Sequence, residues 1–245
     1  MKTFLADLHI HTGLSPCAAD EMTPPAIVQA AMDSGLTMIA ICDHNAASNA
    51  GPTQEAAGDR VTVLAGMEIA TAEEVHVLGL FPNAAAAEAA AAQVGATLPE
   101  ADDAYYERFG PQRRMDADGR LVALEPRMLA LASTLDLSAA IDLIHRHGGV
   151  AVAAHVNRPS FSVISQLGMF PADAGFDALE VFSAPGFPSR AAEFAVYGLP
   201  VLTSSDSHFL GDIGSARVEL ELEASTFAEL VRALRGTGGR RVRCA

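Results

Sequence analysis

Cysteine is sparse in this 245-residue chain, and the little there is lacks pattern. Cys17, Cys42 and Cys244 form no Cys-x-x-Cys pair and no disulfide framework, so a reducing, cytoplasmic and bacterial setting is expected. Basic residues are also few. Sixteen Lys and Arg stand against 30 Asp and Glu, a formal charge of −14. That balance argues against a nucleic-acid binder held by a basic surface, although a short, local nucleic-acid end would still reach a metal site. No duplex nucleic acid is expected as a partner. No apolar run approaches ~20 residues, so nothing is expected to span a membrane. The opening MKTFLADLHIH is too short and too soon polar for a signal peptide. No Gly-x-Ser-x-Gly elbow surrounds Ser204, Ser205 or Ser207, which argues against serine catalysis.

What is present is the composition of a globular protein, half apolar and 19% charged, long enough for one barrel-sized α/β domain. Apolar runs at 3–9, 36–42, 61–69, 75–81, 150–155, 178–182 and 200–205 predict seven strands. The run at 36–42 is apolar on both faces, as in a buried parallel strand. Helices are expected near 24–34, 52–57, 84–96, 137–147, 160–167, 189–197 and 225–235. Pro24 and Pro25 suit a first turn, where the missing N–H has no helical partner, and Gly35 closes that helix. The alanine-rich 84–96 has high helix propensity. Leu137-Ser138 is expected to cap the helix that Gly148-Gly149 stops. Val218–Leu222 alternates apolar and acidic residues, as an edge strand would, leaving Glu219, Glu221 and Glu223 on a solvated face. Strands alternating with helices favour a parallel α/β barrel. Residues 97–135 lack strong apolar periodicity and carry turn signals, with Asp118-Gly119 placed to turn a hairpin. They are expected to be a small insertion over the barrel's active-site face, a possible lid within a single 1–245 domain.

The chemistry gathers where the apolar runs stop. Asp7-Leu8-His9-Ile10-His11 places two imidazoles on one side of a strand, because residues i and i+2 share a face. Asp43-His44, Glu68, His76, His155 and Asp206-Ser207-His208 each adjoin another run. Barrels gather functional side chains at the carboxyl ends of their strands. Imidazole with carboxylate suits Zn, Mn or Fe, and the donors outnumber the needs of one ion, so two or three divalent ions with a bridging carboxylate are expected. Asp7 and Asp43 neighbour candidate ligands and are expected to orient imidazoles. Glu180 is expected in a supporting role. His145 and His147 sit at a helix end, where a cation suits the dipole. Cys42 is expected to pack in the core.

The motifs Asp7-Leu8-His9-Ile10-His11, Cys42-Asp43-His44, Gly66-Met67-Glu68, His76-Val77-Leu78-Gly79, Ala154-His155 and Asp206-Ser207-His208 together resemble the PHP (polymerase and histidinol phosphatase) superfamily of metal-dependent phosphoesterases, over about residues 1–210. The resemblance implies a distorted seven-stranded (β/α)7 TIM-like barrel. It implies one ion on His9, His11, Glu68 and Asp206, a second sharing Glu68 with His76 and His155, and a third on His44, His208 and position 17. Relatives of this kind carry His or Asp at that position; Cys17 is a softer ligand, favouring Zn or Fe over Mn if it binds. The activity implied is hydrolysis of a phosphate monoester, a small metabolite or nucleotide, by a water that loses its proton between two ions. His208 or His44 would protonate the leaving oxygen, with Asp206 as a catalytic ligand. Arg158, three residues after His155, is the expected phosphate clamp; Arg113, Arg114 and Arg127 lie in the insertion. An amidohydrolase-type metallohydrolase is the alternative, although Lys2, the sole lysine, sits at a strand's start and offers no obvious carbamylated bridge. A non-catalytic metal-binding regulatory barrel is the third possibility.

Overall fold

A computed structural model describes residues 1–183 and 190–243. The N-terminal half runs β1 Lys2–Ile10, α1 Pro24–Asp33, β2 Met38–Ile41, α2 Ala50–Ala57, β3 Thr62–Ala70, β4 His76–Phe81 and α3 Ala84–Gly95. Next come α4 Asp103–Phe109, β5 Arg113–Met115 and β6 Leu121–Leu124, then α5 Leu137–Arg146, β7 Val150–Ala153, α6 Val163–Leu167 and β8 Ala178–Phe182. The chain closes with α7 Ala191–Phe194, β9 Val201–Ser204, β10 Val218–Leu222, α8 Phe227–Leu234 and β11 Arg241–Arg243. The helix expected over 189–197 is α7 followed by a 3-10 turn at Ala195–Tyr197; Ser189, like Cys244, lies outside the described residues.

Nine strands form one sheet in the order β11-β10-β1-β2-β3-β4-β7-β8-β9, and β5 and β6 pair separately. The His11 amide donates to the Ser207 carbonyl (2.9 Å) and the Ser207 amide to the His9 carbonyl (3.2 Å). These bonds bring the chain after β9 against the end of β1 and curl the sheet into a nearly closed, barrel-like α/β fold. The expectation of seven strands is therefore corrected: among the described residues the main sheet has nine strands, with eight α-helices in the chain. The extra pair, β10 and β11, extends antiparallel beyond β1. It also moves β10 off the edge, where Val218–Leu222 was expected, and lets Arg241 and Arg243 pair with Glu221.

The all-parallel expectation fails at β4, which pairs antiparallel with both β3 and β7. Only residues 71–75 separate β3 from β4, too few for the crossover that a parallel neighbour requires.

Alternation explains the remaining strands. Met38, Ala40 and Cys42 join one apolar cluster with Leu8, Leu78 and Val152, while Ile39 and Ile41 join another beneath the helices. Leu230, Ala233 and Leu234 of α8 complete the first cluster, each buried leucine contributing about 1.5–3 kcal/mol. Helix starts are chemically marked. Asn83, Asp102, Asp136 and Thr226 each accept a backbone N–H in the first turn, so Asp136 rather than Leu137-Ser138 caps α5. Gly66 sits where strands crowd: a Cβ there would lie 2.7 Å from Cys42 Sγ and 3.0 Å from the carbonyls of Ile41 and Gly79. No described helix is long and apolar enough to cross a membrane.

Candidate metal centre and the cavities beside it

Glu68 is the hub. It lies near the end of β3, 1% exposed, and its two oxygens meet five imidazoles. His76 Nδ1 is 2.9 Å and His155 Nε2 3.1 Å from Oε1; His44 Nδ1 is 2.9 Å from Oε2. His9 and His11 follow at 3.6 and 3.5 Å and also approach Asp206 Oδ1, at 3.3 and 3.0 Å. Among the described residues three donor groups have atoms within 4.8 Å of one another: His9, His11, Glu68 and Asp206; His44, Glu68 and His76; and His11, His44 and His208. His155 touches Glu68 beside the second of these. Cys17 belongs to none; the residue is exposed at the surface, but its thiol is turned in toward His208 and His44.

Neighbouring side chains aim the rings. Both oxygens of Glu180, in the middle of β8, lie 3.0 Å from His9 Nδ1, which leaves Nε2 toward the cluster. The Ser15 hydroxyl donates to Asp43 Oδ1 (2.7 Å), so its oxygen accepts from His11 Nδ1 (2.9 Å), which likewise turns His11 Nε2 inward. Asp43 thus orients His11 through Ser15, while Thr12 donates to it twice. Asp7 does not orient an imidazole. It accepts from Ser205 and from the Gly214 amide, tying β1 to the chain beyond β9. Ser15 carried no spacing signal in the sequence. Glu180 carried one: it sits on a strand, two residues before the end of an apolar run.

The donor set fits divalent cations. The two inward nitrogens, His9 Nε2 and His11 Nε2, stand 3.0 Å apart with their Nδ1–H groups already committed, so a positive centre is needed between two lone pairs. His155 Nδ1 is buried without a hydrogen-bond partner, and the buried Glu68 Oε2 is met only by imidazoles, His44 at 2.9 Å and His11 at 3.5 Å. In the metal-free protein protons meet part of that need. Burial pushes the His9 imidazole down, but the carboxylates of Glu180, Asp206 and Glu68 outweigh it and hold it well above its ordinary range. Burial, with His208 and His44 nearby, takes His11 well below. Burial raises Asp206 and Glu68, yet the facing imidazoles win and keep both carboxyls low. Burial likewise raises the Cys17 thiol, but hydrogen bonds to His208 and His44 bring it down to about 6. Cys42, buried with its thiol on the Leu8 carbonyl, is pushed up and inert.

Strain marks the same place. Six described non-glycine residues have positive φ, and five surround the cluster: Asn45 (52°), Glu74 (59°), His155 (29°), Phe161 (58°) and Asp206 (51°). Two cavities flank the donors. One of about 540 Å³ is bordered by His44, His76, Glu74, Arg108, Phe109, Phe161 and residues 129–132; the other, about 300 Å³, by Arg158, Phe182, Asp206, His208 and Phe209. Cys17 borders both. Arg158 pairs with Asp206 and lies over the Phe182 ring, 3.9 Å from its centroid. Arg113 pairs with Asp20 at the surface, and Arg114 and Arg127 line a separate cavity of about 340 Å³ behind Asn45. His145 bonds Asp177, and His147 bonds Gln93, away from the cluster.

Comparison with known proteins agrees with this geometry. The family model for the PHP domain matches residues 7–166, and a PHP-associated model matches 189–237. A 5′-3′ exoribonuclease from Haemophilus influenzae is 27% identical over 188 residues, 61% of this chain and 68% of its own. The crystal structure of the lesion-specific endonuclease Q from Pyrococcus furiosus superimposes with a TM-score of 0.70 at 21% identity, over 98% of this chain and 58% of that one. An endonuclease Q complex with a 27-mer duplex carrying an abasic lesion gives 0.69 at 20% identity, with the same coverage. An amidohydrolase from Chromobacterium violaceum with bound sulfate gives 0.60 at 22% identity, over 86% and 90% of the two chains. The chain thus spans little more than half the length of the endonuclease Q structures it matches. These relatives overturn the expectation of a small phosphorylated partner without duplex nucleic acid. A net charge of −14 is a sum over the whole surface, whereas Arg108 and Arg158 stand at the cavities themselves.

Proposed function

The chain belongs to the PHP domain family of metal-dependent hydrolases, and from that premise we propose that it cleaves a phosphodiester in nucleic acid at the centre built around Glu68. The observation that carries this reading is the pair of cavities meeting at the donor cluster. A monoester has one organic group on its phosphorus; a diester has two, and each would find a cavity of its own. The names of the exoribonuclease and endonuclease Q relatives support the same class of substrate.

In this proposal His9, His11, Glu68 and Asp206 hold one ion, and Glu68 with His76 and His155 a second. His44 and His208 hold a third, with Cys17 as the variable donor. When bound, the ions supply Lewis acidity toward water and the phosphate oxygens. Glu180, Ser15 and Asp43 keep the imidazole lone pairs aimed. Arg158 turns from Asp206 to clamp a non-bridging oxygen, with Phe182 supporting its guanidinium. Of His208, whose Nδ1 lies 2.9 Å from the Asp206 carbonyl, and His44, whichever is not engaged as a ligand delivers the proton to the leaving oxygen. Residues 97–135 serve as a cover, since Arg108, Phe109 and residues 129–132 stand beside His44 and His76. The amidohydrolase alternative finds no lysine near this centre: Lys2 opens β1, at the strand's opposite end.

The test is a protein stripped of metal and reloaded separately with Zn, Mn or Fe, then offered single-stranded RNA and DNA oligonucleotides, a lesion-bearing duplex and p-nitrophenyl phosphate. Metal-dependent release of nucleotides is expected. Metal uptake with turnover of the monoester alone would replace the diester reading, and uptake with no turnover would remove it.

A further inference from the structure

We propose that the 540 Å³ cavity is a stacking site for one unpaired nucleobase next to the scissile phosphate, with Phe161 as its platform. The proposal rests on the nucleic-acid reading above and names the group that would occupy this side of the cluster.

The cavity has the shape and lining that a base requires. Its wall is mixed: imidazole edges from His44 and His76 at the catalytic end, then Phe161, Phe109, Leu129 and Leu131 further out, with Arg108 at the rim. Phe161 lies 4.8 Å from the His76 ring with the planes 17° apart, a parallel stack. It nevertheless remains 44% exposed, and Phe109 36%, so neither ring is taken up by the core. Nothing in the fold needs Phe161 there for burial. Three features instead hold it at the mouth. Its carbonyl accepts from the His76 amide (2.8 Å). Ser162, immediately after it, anchors α6 through a capping box. Its φ of +58°, costly for a bulky side chain, turns the backbone so that both contacts are made. Phe109 ends α4, where Tyr105 packs against it at 4.9 Å and the Arg108 guanidinium lies 5.3 Å from its centroid. Aromatic rings and an arginine lining one cavity recognise a planar heterocycle irrespective of its identity.

The geometry also orders the substrate. The base platform is built on the imidazole of a proposed ligand, so an occupant would lie within one nucleotide of the phosphorus under attack. A base at a single-stranded end, or one turned out of a duplex, satisfies this; a base stacked within a helix does not.

The experiment compares two oligonucleotides identical except that one lacks the terminal base, on the metal-loaded full-length protein. For the native protein, kcat/KM is expected to be about 5- to 150-fold higher with the base, the range for one base–aromatic stack. In Phe161→Ala that ratio should fall toward one, in Phe109→Ala it should fall in part, and in Phe161→Trp it should be kept or raised. Metal content is measured on each variant, because Phe161 touches His76. Equal ratios in native protein and Phe161→Ala, with metal retained, overturn the proposal. Free adenosine, followed by saturation-transfer NMR, separates this outcome from failure of the nuclease reading. Adenosine bound by native protein and lost in Phe161→Ala keeps the stacking site even if no oligonucleotide is cut; no adenosine bound and no base dependence of cleavage removes it.

Discussion

Replacing Glu180 by Gln changes one atom in the centre and should weaken metal binding by about 10- to 100-fold, the usual penalty for losing a ligand's outer partner. The structure gives the reason and an independent size. Both carboxylate oxygens are acceptors: each lies 3.0 Å from His9 Nδ1, and Oε2 also takes the His155 amide at 3.1 Å. A glutamine offers one acceptor and one donor. If its oxygen takes the Oε1 place, the NH2 confronts the His155 N–H; if it takes the Oε2 place, the oxygen still accepts from both His155 and His9, but the NH2 is set as a donor against His9 Nδ1–H. Either way a buried N–H faces another donor, at about 1–3 kcal/mol. The tenfold to hundredfold loss corresponds to about 1.4–2.7 kcal/mol, so the two routes agree. The measurement is a metal dissociation constant by chelator competition, for Zn and Mn separately, with Glu180→Asp as a partner variant that keeps two acceptors. An unchanged dissociation constant in Glu180→Gln would refute the view that His9 is aimed from β8.

Metal loading itself should be visible as stability. Metal at one hundred times its dissociation constant adds about 2.7 kcal/mol to a single site, which for a chain of this size raises Tm by roughly 5–10 °C in a thermal melt, reversed by chelator. Gly66→Ala should cost about 1–3 kcal/mol in urea unfolding; Cys42→Ala added to it should recover only part, because the carbonyls of Ile41 and Gly79 remain 3.0 Å from the new Cβ. Glu229 should make stability acid-sensitive. Its carboxyl takes hydrogen bonds from Arg240, the Glu223 amide and Arg232, the Arg240 bond leading, and sits at about 2 instead of its ordinary 4.5. A depressed acid stabilises the fold above its unfolded pKa and loses that contribution as pH falls through the folded one. Glu229→Gln should therefore be less stable than native protein at pH 7, the gap closing between pH 4.5 and 2 in denaturant melts.

The legible parts of the site were those whose chemistry is tied to strand periodicity. His9 and His11 share a face because two residues separate them, and His44, Glu68 and Asp206 stand where apolar runs stop. What escaped depended on partners far along the chain. Ser15 matters only because Asp43 claims its proton and leaves its oxygen for His11. β11 is three residues, Arg241-Val242-Arg243, with one apolar side chain, so it carries no strand signal; it exists because β10 offers an edge and Glu221 a counter-charge. α4 was hidden in the same way, its seven residues presenting one buried side chain, Tyr105. The importance of Phe161 rests on a backbone angle that no residue pattern announces.

His76 shows the dependence of site on topology most directly. It is the first residue of β4, whereas Glu68 lies near the end of β3. A seven-stranded parallel barrel would send the start of β4 to the face opposite the cluster, about 20 Å away along a six-residue strand. The short 71–75 connection forbids that arrangement and reverses β4, setting His76 against Ala70 in the register and its Nδ1 2.9 Å from Glu68. The ligand pattern and the connection length are thus two statements of one constraint. A histidine that opens a strand reaches a centre built from strand ends only if that strand runs backwards, so the five residues before His76 already exclude the all-parallel barrel that the alternation of strands and helices favours.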